Sequence, residues 1–213
     1  MKDQVPAAMP QCFENWCRRF DDVFSRQKQR QEFHVYLGGL LGESQRKNLS
    51  QLATNTVDGA YNSLRHFLSK APWDEQAVNN RRLEVMRSCR QTTPSKGFTL
   101  ILDDSGHRKS GDSTAGVGRQ YIGEIGKTDN GIVLLTTHLY DGVRRLPLDV
   151  ALYQHANSLE HGKEDVNFVK KPDLALQLIE QCLARGYKPG VTLIDAGVVS
   201  TTRPLLNNWS PKN

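Results

Sequence analysis

Phe98-Thr99-Leu100-Ile101-Leu102-Asp103-Asp104-Ser105-Gly106 is the stretch whose reading decides the fold. Five apolar or β-branched residues run into two adjacent carboxylates and then a Ser-Gly pair. With Pro94 and Gly97 before it and Gly106 after it, the run predicts a short strand buried on both faces, turning at Ser105-Gly106. Strands apolar on both faces belong to sheets covered by helices. Open α/β sheets place their ligands at the carboxyl ends of such strands. The pattern returns in Val191-Thr192-Leu193-Ile194-Asp195-Ala196-Gly197, where Asp195 follows Asp104 by 91 residues. Two apolar strands, each ending in Asp, a small residue and Gly, point to paired carboxylates able to share a metal ion.

Between these two strands the chain alternates apolar runs with turn residues. A Gly- and Ser-rich stretch, 106–118, precedes an extended run, Arg119–Gly126. Asp129-Asn130-Gly131 reads as a turn leading into a strong strand, Ile132–Tyr140. Asp141-Gly142 reads as a hairpin turn into a further strand, Leu146–Tyr153, which Pro147 assigns to a sheet edge. Gln154–Lys171 is polar and reads as an extended loop. Pro172 or Asp173 then opens a helix carrying Leu174, Leu176, Leu178, Ile179, Cys182 and Leu183, which stops at Gly186. A crossover helix of the preferred right hand would return Val191–Ile194 parallel to Thr99–Leu102, with Asp104 and Asp195 at one end of neighbouring strands. This strand order is that of a ribonuclease-H-like mixed sheet.

Upstream, the periodicity is helical. Phe13, Trp16, Cys17, Phe20 and Phe24 form one apolar stripe, and Phe33, Tyr36, Leu37, Leu40 and Leu41 a second that ends near Gly42. Leu49–Thr54 predicts a short helix, Asp58 is placed to cap a helix through Phe67, and Asp74 to cap one through Met86. Gln91–Gly97 has the composition of a linker. The expected organisation is α+β: an all-helical domain, residues 1–92, followed by an incomplete mixed-sheet domain, residues 97–213. Phe13, Trp16, Phe20, Tyr36, Phe67 and Trp73 are expected in the helical core rather than as base-stacking groups.

Charge sharpens the division. Of the formal +5, all lies in residues 1–97, with 15 Lys/Arg against 10 Asp/Glu, whereas residues 98–213 carry 13 of each. A basic half joined to a neutral, carboxylate-bearing half fits nucleic-acid binding followed by chemistry. Arg46, Lys47, Arg81, Arg82 and Arg119 are candidate phosphate contacts, as is the cluster Arg26, Lys28 and Arg30, although none forms a named DNA-reading motif. Four cysteines without a CxxC pair are expected as reduced thiols. No apolar run approaches the ~18 residues of a membrane span, so a soluble cytoplasmic protein is expected. Gly111-Asp112-Ser113 lacks assignable His and Asp partners for a serine nucleophile, and Gly116-Val117-Gly118 does not open a helix as a dinucleotide loop must. A small-molecule substrate is not expected.

Asp103-Asp104-Ser105-Gly106, Gly116-Val117-Gly118-Arg119-Gln120-Tyr121, Gly126-Lys127-Thr128-Asp129-Asn130 and Asp195-Ala196 together resemble bacterial insertion-sequence transposases of the DDE superfamily, whose first strand carries Asp-Asp-Thr-Gly. Tyr36-Leu37-Gly38-Gly39-Leu40-Leu41 and Arg46-Lys47-Asn48 add to the resemblance, which covers most of residues 12–200. The family implies two-metal phosphoryl transfer on double-stranded DNA, at element terminal repeats and target, with Mg²⁺ or Mn²⁺ held by carboxylates. It implies Asp104 as first ligand, Asp103 as the lesser alternative, and Asp195 as second. It also implies a homodimer when full length and a bacterial, nucleoid-associated location. The family's third ligand is a Glu in a pattern like Tyr-x-x-Arg-x-x-x-Glu beyond the second Asp. The 18 residues after Asp195 contain no Asp or Glu, so a truncated copy unable to complete strand transfer is expected. The alternative expectation is a non-enzymatic DNA-binding remnant or regulator of an intact transposase.

Overall fold

A computed structural model of the chain describes residues 9–43, 45–54 and 61–199. Asp58, with the rest of 55–60, and residues 1–8, 44 and 200–213 lie outside them. The chain divides into two compact units, Met1–Cys89 and Arg90–Asn213.

The first unit is helical: α1 (Gln11–Cys17), a 3₁₀ segment (Arg18–Val23), α2 (Gln27–Leu41), α3 (Leu49–Thr54), α4 (Tyr61–Ser69) and α5 (Glu75–Ser88). The first apolar stripe is therefore two elements rather than one helix. Phe20, Phe24, Phe33, Phe67 and Val85 are buried together, with Tyr36 and Trp73 packed against them. The Phe67 and Trp73 rings stack at 5.2 Å, and the indole N–H donates to the Phe67 carbonyl at 2.7 Å. These aromatics are core, while Trp16 stays 37% exposed. Asp74 caps α5, its carboxylate accepting from the Gln76 and Ala77 N–H groups. Gly39 on α2 lets α3 approach closely, since a Cβ there would lie 3.0 Å from that of Leu52.

The second unit is a five-stranded mixed sheet: β1 (Thr99–Arg108), β2 (Gly118–Ile122), β3 (Lys127–Tyr140), β4 (Arg145–Tyr153) and β5 (Val191–Ile194). The helix α6 (Lys171–Ala184) covers one face, and the short α7 (Ala196–Val199) follows β5. β3 pairs antiparallel with β1, β2 and β4, and β5 pairs parallel with β1 through Thr99↔Val191 to Leu102↔Ile194. The two Asp-bearing strands are thus hydrogen-bonded neighbours. Leu102, Val133, Leu135, Ala175, Leu178 and Val198 form the core between sheet and helices. Among the described residues β4 pairs only with β3, the edge position that Pro147 allows, with a register shift between Thr137 and His138.

Two expected turns are strand instead. β1 continues through Ser105-Gly106 to Arg108, paired with β3 along its whole length. Asp129-Asn130-Gly131 lies inside β3, and the reversal falls at Gly123–Gly126, where Gly126 has φ +64°. The expected strand Arg119–Gly126 accordingly ends at Ile122. The glycines answer to close approach rather than to turning. A Cβ on Gly106 would sit 3.1 Å from Ile122 Cγ2, and one on Gly131 would sit 2.5 Å from the His107 carbonyl oxygen. Where backbones pack this closely, only hydrogen fits.

Candidate metal and nucleic-acid site

Strand alternation decides which carboxylate of the pair faces the helix layer. Leu100 and Leu102 are fully buried beneath that layer, and Asp104 is the next residue on their side. Asp103 points to the other face and is exposed. The parallel pairing with β5 ends at Leu102↔Ile194, so Asp103 and Asp104 lie just beyond the parallel segment. The Asp195 N–H donates to the Leu102 carbonyl at 3.1 Å, tying the second carboxylate's backbone to the first strand at this point.

Beyond Asp195 the chain turns into α7, whose Val198 joins the cluster containing Leu102. α7 therefore lies on the side of the sheet that carries Asp104. Asp195 caps this turn, Oδ2 accepting from the Gly197 N–H at 2.8 Å. Its carboxylate is exposed, with Oδ1 outside that bond.

Asp104 has a partner that sequence reasoning did not identify. Lys171, the first residue of α6, donates from Nζ to Asp104 Oδ2 at 2.6 Å. The two side chains are 22% and 26% exposed, so the pair is half-buried and reachable by solvent ions. The Lys171 ammonium also lies 5.5 Å from the centre of the Tyr153 ring. Burial, together with the charges of Lys163 and Lys171, holds the nearby His155 imidazole below the usual histidine range. A signal was present in the sequence: Lys170-Lys171 opens a helix, where the macrodipole disfavours cations. It becomes informative only once Asp104 is seen opposite.

The oxygen donors fit a hard divalent ion, and Asp104 already holds a cation in the form of an ammonium. No group of three or more metal-ligating side chains is assembled among the described residues.

The cationic candidates fall into different situations. Arg81 is bound into the helical unit: its guanidinium grips Asp22 with bonds of 2.6 and 2.7 Å and reaches Glu84 at 2.9 Å. These carboxylates raise its pKa further above the ordinary arginine value, Asp22 first. Arg82 bonds Asn79 Oδ1 through Nε and Nη2, at 3.0 and 2.8 Å. Lys47 donates to the Gly42 carbonyl at the end of α2. Arg46 and Arg119 have exposed side chains, and neither forms a salt bridge among the described residues. Arg119 lies on β2, opposite Asn130 of β3.

A family model described as DDE superfamily endonuclease matches residues 19–203. The chain is 31% identical over 183 residues to the probable transposase for insertion sequence element IS701 of Microchaete diplosiphon. That alignment takes in 86% of this chain and 47% of the relative, so the chain spans about half the relative's length. No solved structure matches. With the family match running through the helical unit, the sheet and both Asp-bearing strands, the chain belongs to the DDE superfamily of endonucleases, in company with an insertion-sequence transposase.

Proposed function

We propose that the chain provides two metal-binding carboxylates, Asp104 and Asp195, of a transposase that cleaves and joins double-stranded DNA. The observation that carries this reading is the parallel register of β1 and β5, which sets Asp195 beside the strand end at Asp103-Asp104. Asp104 is preferred to Asp103 because it lies on the side of the sheet to which the chain turns after Asp195. Bound Mg²⁺ or Mn²⁺ would supply the positive charge that activates a water or 3′-hydroxyl and stabilises the leaving oxygen at a phosphodiester. The protein's own part is to hold Asp104 on β1 and Asp195 just past the end of the neighbouring β5. Exposed Arg46 and Arg119 are the side chains proposed to contact DNA phosphates.

A second reading is a chain that binds DNA without cutting it. The charge excess in residues 1–97 supports the same alternative. Titrating Mn²⁺ against the full chain, with free ion followed by electron paramagnetic resonance, separates the two. Asp104→Asn and Asp195→Asn should each weaken binding at least about tenfold, or ~1.4 kcal/mol, with Asp103→Asn near wild type. Wild-type affinity in both Asp104→Asn and Asp195→Asn would sink the catalytic reading. DNA binding whose affinity falls steeply with salt would then leave the second reading in place.

A further inference from the structure

Lys171 occupies an unfavourable position for a cation. It is the first residue of α6, where the helix presents unpaired N–H groups and partial positive charge. Lys170 precedes it in the chain, so a like charge adds to the penalty. Two contacts offset these costs: the 2.6 Å bond to Asp104 and the Tyr153 ring beneath the ammonium. Asp104 has few alternatives of its own. It projects from mid-strand on the side covered by α6, where its near neighbours Leu102 and Leu135 are apolar. A half-buried carboxylate there is stabilised by a cation, and among the described residues Lys171 is paired with it.

We infer that Lys171 is the internal counter-ion of Asp104, holding the carboxylate until a divalent ion displaces the ammonium. This rests on the reading of Asp104 as a metal ligand. An ammonium 2.6 Å from Oδ2 stands where a metal ion would have to approach that oxygen, so the two cations compete. Lys171 then acts as a positioning residue. It fixes the Asp104 side chain without metal and sets the ion concentration at which the site fills. The partial exposure of both side chains leaves the exchange open to solvent.

The test is Mn²⁺ affinity of the full chain, read by electron paramagnetic resonance, in wild type, Lys171→Met, Lys171→Gln, Lys171→Arg and Lys171→Met/Asp104→Asn. Met keeps the apolar stem over Tyr153, and Gln keeps a polar tip, so the pair guards against loss of α6; far-ultraviolet circular dichroism checks the helix. Lys171→Met and Lys171→Gln should bind Mn²⁺ about tenfold more tightly than wild type. Lys171→Arg, which keeps the charge, should stay near wild type, and adding Asp104→Asn to Lys171→Met should abolish the gain. Unchanged or weaker affinity in both neutral variants overturns the inference. If Asp104→Asn alone weakens binding while the neutral variants do not strengthen it, only the counter-ion role fails. If Asp104→Asn alone has no effect, the metal-ligand reading fails with it.

Discussion

Replacing Gly131 by Ala tests the pairing that puts Asp104 in mid-strand. Were Asp129-Asn130-Gly131 an open turn with ordinary backbone angles, Ala would stiffen the unfolded chain and stabilise the fold by about 0.4–1 kcal/mol. In the observed register Gly131 pairs with Arg108 on one side and Gly118 on the other. An added Cβ would meet the His107 carbonyl oxygen and Ile122 Cδ1, both at 2.5 Å. The isoleucine methyl can rotate away, but the carbonyl belongs to the paired strand and moves only with β1. Overpacking of this kind costs about 1–3 kcal/mol, and subtracting the entropy gain leaves a net loss of roughly 1–2 kcal/mol. With a urea slope of about 2 kcal/mol/M, the unfolding midpoint of the sheet unit should fall by about 0.5–1 M. Gly123→Ala is the matched control, because nothing lies within 4 Å of its Cβ position. It should be neutral or slightly stabilising, by up to about 1 kcal/mol. A Gly131→Ala protein as stable as wild type would refute the β1–β3 register at this end, and with it the assignment of Asp104 to the helix-covered side.

Asp141 offers a pH test. The N–H groups of Arg144 and Ser95, with further help from Val143 and the Arg144 guanidinium, hold its carboxyl well below the usual range. A lowered folded pKa means that this contribution is present above the unfolded value of about 3.9 and is lost as pH falls below it. Asp141→Asn should flatten the acid limb of the sheet unit's stability profile below about pH 4, and an unchanged limb would contradict the contact set. Thiol accessibility gives another check. Burial pushes the Cys17 thiol up to about 12, whereas Cys12 is exposed. A thiol-specific chromogenic reagent at neutral pH should modify Cys12 quickly and reach Cys17 and the buried Cys182 only on unfolding. Rapid modification of Cys17 in the native state would be the contrary result.

Much of this architecture is legible in the order of residue types. The β-branched and apolar run at Thr99–Leu102, its echo at Val191–Ile194 and the amphipathic stretch opened by Pro172 define two strands and a crossover helix before any contact is known. A crossover helix ahead of the second strand lets it return parallel to the first, and the Asp74 cap and the aromatic core follow from local chemistry and helical period. Sequence alone could not tell a glycine that turns the chain from one that admits a neighbouring backbone. Gly106 and Gly131 have the local signature of turns, yet partners distant in the chain make them strand residues. Nor could it assign the partners of the charges. Arg81 reads as an open phosphate contact until Asp22, 59 residues away, takes its guanidinium. Asp104 reads as a bare carboxylate until α6 brings Lys171 across 67 residues to meet it. Local sequence determines which residues can bury, turn or carry charge; which charge meets which depends on chain closure over long separations, and that is settled only when the sheet and its covering helix pack together.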